Sequence, residues 1–364
     1  MRKYCLFLLC LFLTAVPVRA YDATSAQAAQ IGVSRLTDAV PENAAELLDG
    51  LSPEKTADFG TSVWGILRKA LESCTADLHQ TSSLSAKLIS TVLLCSLVSS
   101  FCTGAARRAV CFASAAAVTA LCAGDFRSML AVGADTVDGL SVFLACFLPV
   151  AAGAMALSGA EVSSAFLCTG AGVLSHRILS VISGLMVPLL YAYLALTTAE
   201  AASGEKSPGT LAAVIPKFLK QAIRVTLFVF TAYLSVTGIV SGRADAVALK
   251  AAKMTVSTVV PMVGNLLADA SESVLVSAAL LQQSVGVFGL LAGLAILIVP
   301  FLRISLRYLL LNLTAAVCAA FGTPEASRQL GSVSTAMGYL AALTGTAGTV
   351  VFLCCVCFLK AGAA

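Results

Sequence analysis

The sequence has little charge and almost no histidine. Of its 364 residues, 12% are charged and 59% are hydrophobic, and the two histidines, His79 and His176, are far apart. Soluble domains average about 25% charged residues, so most of this protein's surface must face something other than water. The sequence also lacks a glycine–lysine nucleotide loop, a metal-ligand spacing and any grouping of serine, histidine and acid. We therefore expect no enzymatic activity and no cofactor, and the net charge of +4 gives no reason to expect a nucleic-acid partner.

What the sequence does contain is a series of apolar runs rich in alanine, glycine and serine. Small residues let helix backbones approach closely in a bilayer, where lipid is as apolar as the side chains. Most of the 13 cysteines also fall in these runs, where cysteine behaves as a small hydrophobic residue. This composition predicts an all-α, polytopic helical membrane protein embedded in the lipid bilayer.

Residues 1–20 have the three parts of a signal peptide. Arg2 and Lys3 form a basic start, an apolar core follows, and residues 18–20 resemble a cleavage site with small residues. The apolar core is shorter than the roughly 20 residues that a transmembrane helix needs. We expect cleavage before Tyr21, which places the start of the mature chain outside the cytoplasm; an uncleaved membrane anchor is the alternative.

Residues 21–86 form the one long polar region. Apolar residues recur at helical spacing from Val63 to Cys74, which predicts an amphipathic helix before the membrane. Pro41 and Pro53 occur where helices are expected to start, because proline is well tolerated in the first helical turn. We interpret the region as an extracytoplasmic helical segment.

Residues 87–138 are predicted to be an N-terminal transmembrane pair and loop. The apolar runs 88–104 and 109–124 are separated by Arg107 and Arg108. The positive-inside rule places such a pair of arginines in the cytoplasm, in agreement with an exported N-terminus. Together with the later runs we expect seven to nine spans. Those later runs are residues 139–157, 178–198, 222–240, 286–302, 304–321 and 335–359.

Residues 162–175 decide the orientation of the later spans. If they cross the membrane, the basic stretch of Lys206, Lys217, Lys220 and Arg224 falls on the cytoplasmic side with Arg107. If they are re-entrant, the same residues fall outside, against the positive-inside rule. The sequence leaves both arrangements open.

A pattern of proline, acid and proline occurs twice, and the two prolines are 39 residues apart in both copies. The two copies are Pro149, Glu161 and Pro188, and Pro261, Glu272 and Pro300. Prolines that interrupt apolar segments are typical of the broken helices that build polar sites inside membranes. We interpret residues 139–242 and 243–364 as transmembrane repeats 1 and 2, each with Pro-broken helices; chance similarity within alanine-rich sequence is the alternative.

The acids of this pattern are the candidate functional residues. Glu161 and Glu272, with Asp269, are expected to line a polar path or a seam between subunits. A charge at the bilayer centre costs on the order of 3 kcal/mol on insertion scales, so these carboxylates should be paired or hydrated. The alternative is that they lie in solvated interfacial loops without a function.

Basic residues accompany the second copy. Lys250 and Lys253 alternate with apolar residues, which predicts an interfacial helix that dips into the membrane at Pro261. Pairing of these lysines with the acids that follow and simple solvation are both compatible with the pattern. Arg303 and Arg307 lie one turn apart, and such residues usually extend to the lipid head-groups.

The chain resembles the stage III sporulation protein AE family of endospore-forming Firmicutes. The resemblance covers nearly the whole chain and is most specific over residues 241–273. The residues that carry it are Asp245, Ala248, Leu249, Lys250, Ala251, Ala252, Lys253, Val260, Pro261, Met262, Val263, Gly264, Leu267, Asp269, Ala270 and Glu272.

The resemblance implies a multi-pass component of the channel-like, secretion-like complex built between the mother cell and the engulfed forespore. It implies a location in the mother-cell membrane around the forespore and a need for the complex in late forespore gene expression. The implied partners are other stage III sporulation membrane proteins: a secretion-type ATPase, small membrane proteins and ring-forming proteins. The alternatives are a structural membrane scaffold of that complex and an autonomous secondary transporter.

Overall fold

The protein is a bundle of long α-helices. The structure, a computed structural model, describes residues 28–29, 31–48, 59–158, 162–203, 207–236, 264–321 and 323–362. Their side chains are described except at residues 59, 76–80, 162–168, 201–207, 236, 264–276 and 360–362. Within these ranges every element is helical, which confirms the all-α prediction. The helices are α1 (Ser34–Asp38), α2 (Glu42–Ala45), α3 (Phe59–Phe101), α4 (Gly104–Leu157), α5 (Val162–Val181), α6 (Val187–Ser203), α7 (Ser207–Ala212), α8 (Val214–Val236), α9 (Gly264–Phe321) and α10 (Pro324–Gly362).

Local sequence sets several helix ends. The chain reverses between α3 and α4 at Gly104, whose φ of +59° lies in the left-handed region that glycine adopts without strain. Arg107 and Arg108 follow in the first turns of α4, so the tight basic connection predicted between the first two apolar runs is present. The last helix begins at Pro324, where proline's missing N–H removes no helical hydrogen bond.

The long helices run alternately in opposite directions. The antiparallel pairing of α4 with α5 is fixed by a 2.8 Å hydrogen bond between Ser141 Oγ and His176 Nδ1. Near the start of α10, Thr323 Oγ1 donates to Ser114 Oγ of α4 at 3.3 Å. One end of the bundle therefore holds the end of α9 together with the starts of α4 and α10.

The same end also holds the end of α6 and the start of α8. Gln329 Nε2 of α10 donates to Thr198 Oγ1 of α6 at 3.3 Å. The backbone of α7 at Gly209 lies against the side chain of Glu200, just before α8 begins. We call this the basic end; its cations are Arg107, Arg108, Lys217, Lys220 and Arg328.

This arrangement decides between the two orientations that the sequence left open. Residues 162–175 belong to α5, and α5 and α6 form one nearly continuous passage from the far end of the bundle to the basic end. Lys217 and Lys220 therefore lie at the same end as Arg107 and Arg108. This is the side that the crossing arrangement predicted, but residues 162–175 share one passage with the run 178–198 and are not a separate crossing.

The described residues contain five helical stretches that are long and apolar enough to cross a membrane. The described residues do not contain the seven to nine spans expected, because two pairs of predicted spans are single helices. The run 222–240 lies in α8 as far as Val236 and is not among the five stretches. Runs 109–124 and 139–157 both lie in α4, and runs 286–302 and 304–321 both lie in α9. Residues 125–138, predicted as a loop, are helical for the same reason. The five stretches are Thr81–Phe101, Gly104–Leu157, Thr169–Glu200, Ser277–Phe321 and Pro324–Leu359.

The described prolines interrupt their helices less than the sequence led us to expect. Both α4 and α9 continue through Pro149 and Pro300, so the predicted breaks at these two positions are wrong. Membrane helices tolerate proline where neighbouring groups satisfy the freed backbone carbonyl. Pro188 differs: it follows a π-helical turn, Ile182–Met186, whose wider hydrogen bond runs from the N–H of Val187 to the carbonyl of Ile182.

The polar N-terminal region packs against the far end of the bundle. Val33 and Leu36 of its first helix region are almost completely buried, and the side chain of Ile31 lies against Gly153 of α4. In α3 the predicted apolar face is present, with Ile66 and Ala70 buried. Helix α3 runs without interruption from this region into the first membrane stretch, past the boundary predicted at residue 86.

Candidate functional site

Polar side chains and three cavities lie at one level of the bundle. The cavities occupy about 440 Å³ between α3, α4 and α9, about 460 Å³ between α4, α6 and α10, and about 900 Å³ between α8, α9 and α10. The first two share the stretch 119–132 of α4, and the third is lined by the residues that flank Arg307 on α9. We call this level the polar tier. Its polar residues include Lys87, Thr119, Asp125, Arg127, Thr198, Arg303, Ser305, Arg307, Tyr308, Asn312, Gln329, Ser334 and Thr335.

An ion pair between Asp125 of α4 and Arg307 of α9 lies at the centre of the tier. Their side chains are 14% and 6% exposed. Desolvating two charges offsets most of their attraction, so such a pair adds little net stability, yet losing one partner is costly. The pair therefore fixes how α4 and α9 align along their length.

The cavity between α3, α4 and α9 has a charged lining. Arg303 and Arg307 enter it from α9, Asp125 from α4 and Lys87 from α3. The expectation that Arg303 and Arg307 extend to lipid head-groups is wrong for Arg307, which is buried against Asp125. Arg303 is half-buried and lies one helical turn away on the same cavity wall.

The cavity between α4, α6 and α10 is mostly apolar. The hydrogen bond between Gln329 and Thr198 lies in its wall, and Arg127 and Tyr191 line it nearer the surface. Phe126, which is buried, closes its inner side. This arrangement suits an apolar occupant with one or two hydrogen-bonding groups.

The largest cavity is lined by small and hydroxyl-bearing residues. From α9 it is lined by Ser305, Tyr308 and Asn312, while α10 contributes a succession of glycine, alanine, serine and threonine. The phenol ring of Tyr308 lies against the backbone of Gly338, where a Cβ would be 2.9 Å from its Cε2 atom. Small residues on α10 thus allow α9 to approach closely and leave space on either side.

Only some of the candidate residues predicted from the sequence lie within the part of the chain that the structure describes. Glu161, Lys250, Lys253 and Pro261 lie outside the described residues. Asp269 and Glu272 lie in the first turns of α9, far from the polar tier, and their side chains are outside the described set. The polar path through Glu161 and Glu272 and the internal repeat remain predictions.

The sequence did not single out Asp125, Tyr308 or Gln329. A signal for the first was available, because Asp125 interrupts apolar sequence directly after the run ending at Gly124. An ionisable residue inside a membrane helix is a functional candidate by default. Because residues 125–138 were predicted to form a loop, Asp125 was not considered to lie inside a membrane helix. Within the described residues no group of three histidines, cysteines or acids is placed to hold a metal ion.

Comparison with known proteins gives the same family as the resemblance seen in the sequence. The sequence model of the family described as stage III sporulation protein AE matches residues 43–362. A curated relative, "Stage III sporulation protein AE" of Bacillus subtilis (strain 168), is 22% identical over 242 residues. That alignment covers 66% of this chain and 61% of the relative, so somewhat less than two thirds of the relative's length is matched. No solved structure matches the chain.

Proposed function

The chain belongs to the stage III sporulation protein AE family, and from this premise we propose that it is a multi-pass membrane component of a channel-like, secretion-like complex between mother cell and forespore. The family match over residues 43–362 is the observation that carries the proposal. In this proposal the complex lies in the mother-cell membrane around the engulfed forespore and is required for late forespore gene expression. Its other members are a secretion-type ATPase, small membrane proteins and ring-forming proteins.

The exposed apolar surface extends further along the helices than one bilayer can cover, and this supports a role within a complex. Exposed apolar side chains extend from the polar tier toward both ends of the bundle, and Tyr191 and Leu309 are exposed at the level of the tier itself. We define two belts nearer the ends. The basic-end belt is Leu93, Leu94, Leu97, Val98, Phe101, Phe112, Leu313 and Phe321; the far belt is Val142, Val173, Val181, Leu185, Phe228, Val229, Leu280 and Phe352. On α9 alone, Leu280 and Phe321 lie roughly 60 Å apart at a rise of about 1.5 Å per residue.

One bilayer cannot cover both belts. Its hydrocarbon core is about 30 Å thick, and helix tilt adds only a few ångströms to the length covered. Phe321 is 65% exposed and Leu280 is 48% exposed, so neither end of α9 is sheltered within the chain. A lone transporter would leave one belt in water, whereas a subunit of a larger assembly has it covered by neighbouring proteins.

A structural scaffold of the same complex is the second candidate. The buried Asp125–Arg307 pair and the close approach of Tyr308 to Gly338 favour a rigid framework of α4, α9 and α10. The scaffold and the channel component differ in whether polar groups are needed for passage. Charge reversal at Glu161 or Glu272 would be rescued by a compensating change in a partner for a scaffold, and would remain defective for a conducting path.

Deletion of the gene in the spore-forming host tests the proposal. We expect engulfment to finish, forespores to shrink and a late forespore-specific transcription reporter to stay silent. Normal sporulation would contradict the proposed role. Ion-coupled uptake by the purified protein alone in liposomes would favour the autonomous transporter.

A further inference from the structure

The cavity between α4, α6 and α10 has an apolar lining with one charged group at one end. Most of its lining residues are apolar, and Arg127 of α4 is the one described residue among them that is charged. Because α4 runs away from the basic end and α6 runs toward it, Arg127 and Tyr191 lie at the end of the cavity farther from the basic end. The hydrogen bond between Gln329 and Thr198 lies at the opposite end.

The charge of Arg127 is not neutralised by the part of the chain that the structure describes. No described residue forms an ion pair with Arg127, and none of the residues that line the cavity is acidic. Arg127 is exposed at the mouth of the cavity, together with Ala123 of α4 and with Tyr191 and Ala195 of α6. The mouth is therefore complementary in charge to an anion that approaches from outside the bundle.

The mouth of the cavity also lies at the depth of lipid head-groups. Helix α4 has no charged residue between Arg108 and Asp125, a stretch about 24 Å long, which is close to the thickness of the hydrocarbon layer of a bilayer. Asp138 of α4 and Arg177 of α5 are exposed at the level of the far belt. Lipid around the basic-end belt leaves these two charges in water, and it places Arg127 at the outer edge of the lipid layer.

The size of the cavity suits one acyl chain. Its volume is about 460 Å³, and it extends from Thr119 to Arg127 on α4, which is about 12 Å. A partner α-helix, about 10 Å in diameter, would need roughly twice this volume over the same length. An apolar chain can lie against Phe126 and end at Gln329 and Thr198, whose polar groups are hydrogen-bonded to each other and so cost little when an apolar chain covers them.

We propose that this cavity binds an anionic glycerophospholipid, with one acyl chain inside the cavity and the phosphate group at Arg127. Basic pockets between membrane helices suit anionic head-groups. The guanidinium of Arg127 can donate two parallel hydrogen bonds to phosphate oxygens, and the hydroxyl of Tyr191 can donate a third. The acyl chain runs from there along Phe126 toward Gln329, while the second chain of the lipid stays in the bilayer. This site is independent of the proposed role in the sporulation complex.

The test uses the full-length protein purified in detergent. Native mass spectrometry measures the binding of phosphatidylglycerol and of phosphatidylcholine with identical acyl chains. We expect the wild type to prefer phosphatidylglycerol, and Arg127→Gln to weaken its binding by about tenfold, the loss expected for one charge-assisted hydrogen bond. Arg177→Gln is the matched control, because Arg177 is an exposed arginine of α5 that lines none of the three cavities.

A second pair of variants tests the position of the acyl chain. Ala123→Phe places an aromatic ring at the mouth of the cavity, and it should weaken the binding of phosphatidylglycerol at least as much as Arg127→Gln does. Ala131→Phe is its control, because Ala131 is exposed about two turns further along α4 and lines none of the three cavities. All four positions are exposed, so the variants should fold, and their thermal midpoints in detergent check this.

Each outcome decides the proposal. Weaker binding in Arg127→Gln and Ala123→Phe, with Arg177→Gln and Ala131→Phe equal to the wild type, supports it. Equal binding of the two lipids by the wild type, or unchanged binding of phosphatidylglycerol in Arg127→Gln, would overturn the phosphate contact and with it the proposal. Unchanged binding in Ala123→Phe would place the lipid elsewhere on the protein surface and would overturn it as well.

Discussion

Asp125 and Arg307 meet in the interior of the bundle although 182 positions separate them in the chain, and their ion pair joins the two longest helices. Both side chains are almost withdrawn from solvent. Two helices with low sequence diversity could slide past one another by a turn without a large change in apolar contact. A buried charge pair prevents such sliding, because a shift of one turn would leave both charges buried without a partner.

Breaking this pair should destabilise the protein strongly. We expect Asp125→Asn or Arg307→Met alone to lower the free energy of unfolding by about 3–5 kcal/mol, because each leaves an uncompensated buried charge or polar group. The double variant Asp125→Leu/Arg307→Met should recover most of the loss. Thermal unfolding of the purified protein in detergent measures this.

The exposed pair Arg68–Glu72 on α3 supplies the control for that measurement. Its atoms are 3.1 Å apart, but its side chains are 75% and 66% exposed. Glu72→Gln should therefore change the free energy of unfolding by less than about 0.5 kcal/mol. An equal effect at both pairs would show that burial of Asp125 and Arg307 is not what matters.

Gly289 and Gly293, one turn apart on α9, should respond oppositely to alanine. A Cβ at Gly289 would lie 2.9 Å from Cζ of Phe147, whose buried ring stacks on Phe143 and makes an edge-to-face contact with Phe358. We expect Gly289→Ala to cost about 1–3 kcal/mol through overpacking. At Gly293 the nearest atom is Val351 Cγ1 at 3.5 Å, an ordinary contact, so Gly293→Ala should be neutral or stabilise by up to about 1 kcal/mol.

Thermal midpoints of the two glycine variants and the wild type, measured side by side, test this prediction. Destabilisation by both variants would mean that α9 and α10 need glycine for backbone freedom rather than for space. Equal stability of all three would mean that Phe147 can move, against its position in the core.

Gln282 should be replaceable by an apolar residue of similar size. It is buried on α9 and accepts a 2.6 Å hydrogen bond from Ser158 Oγ, while its own Nε2 has no hydrogen-bond acceptor among the described residues. Without the amide, the single hydroxyl hydrogen of Ser158 can be donated to the carbonyl of Met155, which lies 2.9 Å away. We expect Gln282→Leu to leave the thermal midpoint unchanged or raise it, because an unsatisfied buried amide is costly.

Gln282→Ala provides the contrast, since it removes the amide and leaves a cavity. It should lower stability by about 2–4 kcal/mol, as large-to-small core substitutions do. If the Gln282→Leu protein is stable but cells that carry it fail to sporulate, a partner must bind the side-chain amide of Gln282.

Only one of the two apolar belts should be required for binding partner proteins. Leu313→Gln in the basic-end belt and Leu185→Gln in the far belt are matched, being 63% and 50% exposed in the native chain. The belt that lies in lipid should tolerate one glutamine with normal partner recovery, while the belt outside it should lose co-purifying sporulation proteins. Co-purification from membranes of sporulating cells measures this, with the amount of the protein in the membrane fraction as the control.

Retention of every partner by both variants would contradict an assembly role for either belt. Loss of the protein itself from the membrane fraction would instead indicate failed insertion. The same measurement would then be made with a glutamine at a second position of the same belt, Leu97 for the basic-end belt or Val181 for the far belt.

The class of fold could be predicted from the sequence because composition alone demands it. An alanine-rich and leucine-rich chain with so few charges satisfies its backbone in lipid only as helices. Local signals also succeeded where they act over a few residues, as at Gly104 and along the apolar face that contains Ile66 and Ala70.

The parts that failed depend on distant residues. Asp125 was assigned to a loop because a charge after an apolar run usually marks the end of a span, and only its partner Arg307 makes it stable inside a helix. Pro149 and Pro300 were assigned to breaks because proline removes a local hydrogen bond, whereas tertiary packing keeps both helices continuous. Each cavity of the polar tier is lined by three helices that are distant in the sequence, so no local signal predicts it.

The π turn at Ile182–Met186 has a consequence for how this protein compares with its relatives. A π turn holds about one residue more than an α turn, so this helix accommodates one extra residue without ending. Beyond it, each residue is turned by about 100° from the phase set by α5, and that phase is what buries Leu190 and Tyr193. We expect relatives that lack one residue here to have a regular helix, with the pattern of inward-facing residues displaced by one position from this turn to the end of α6.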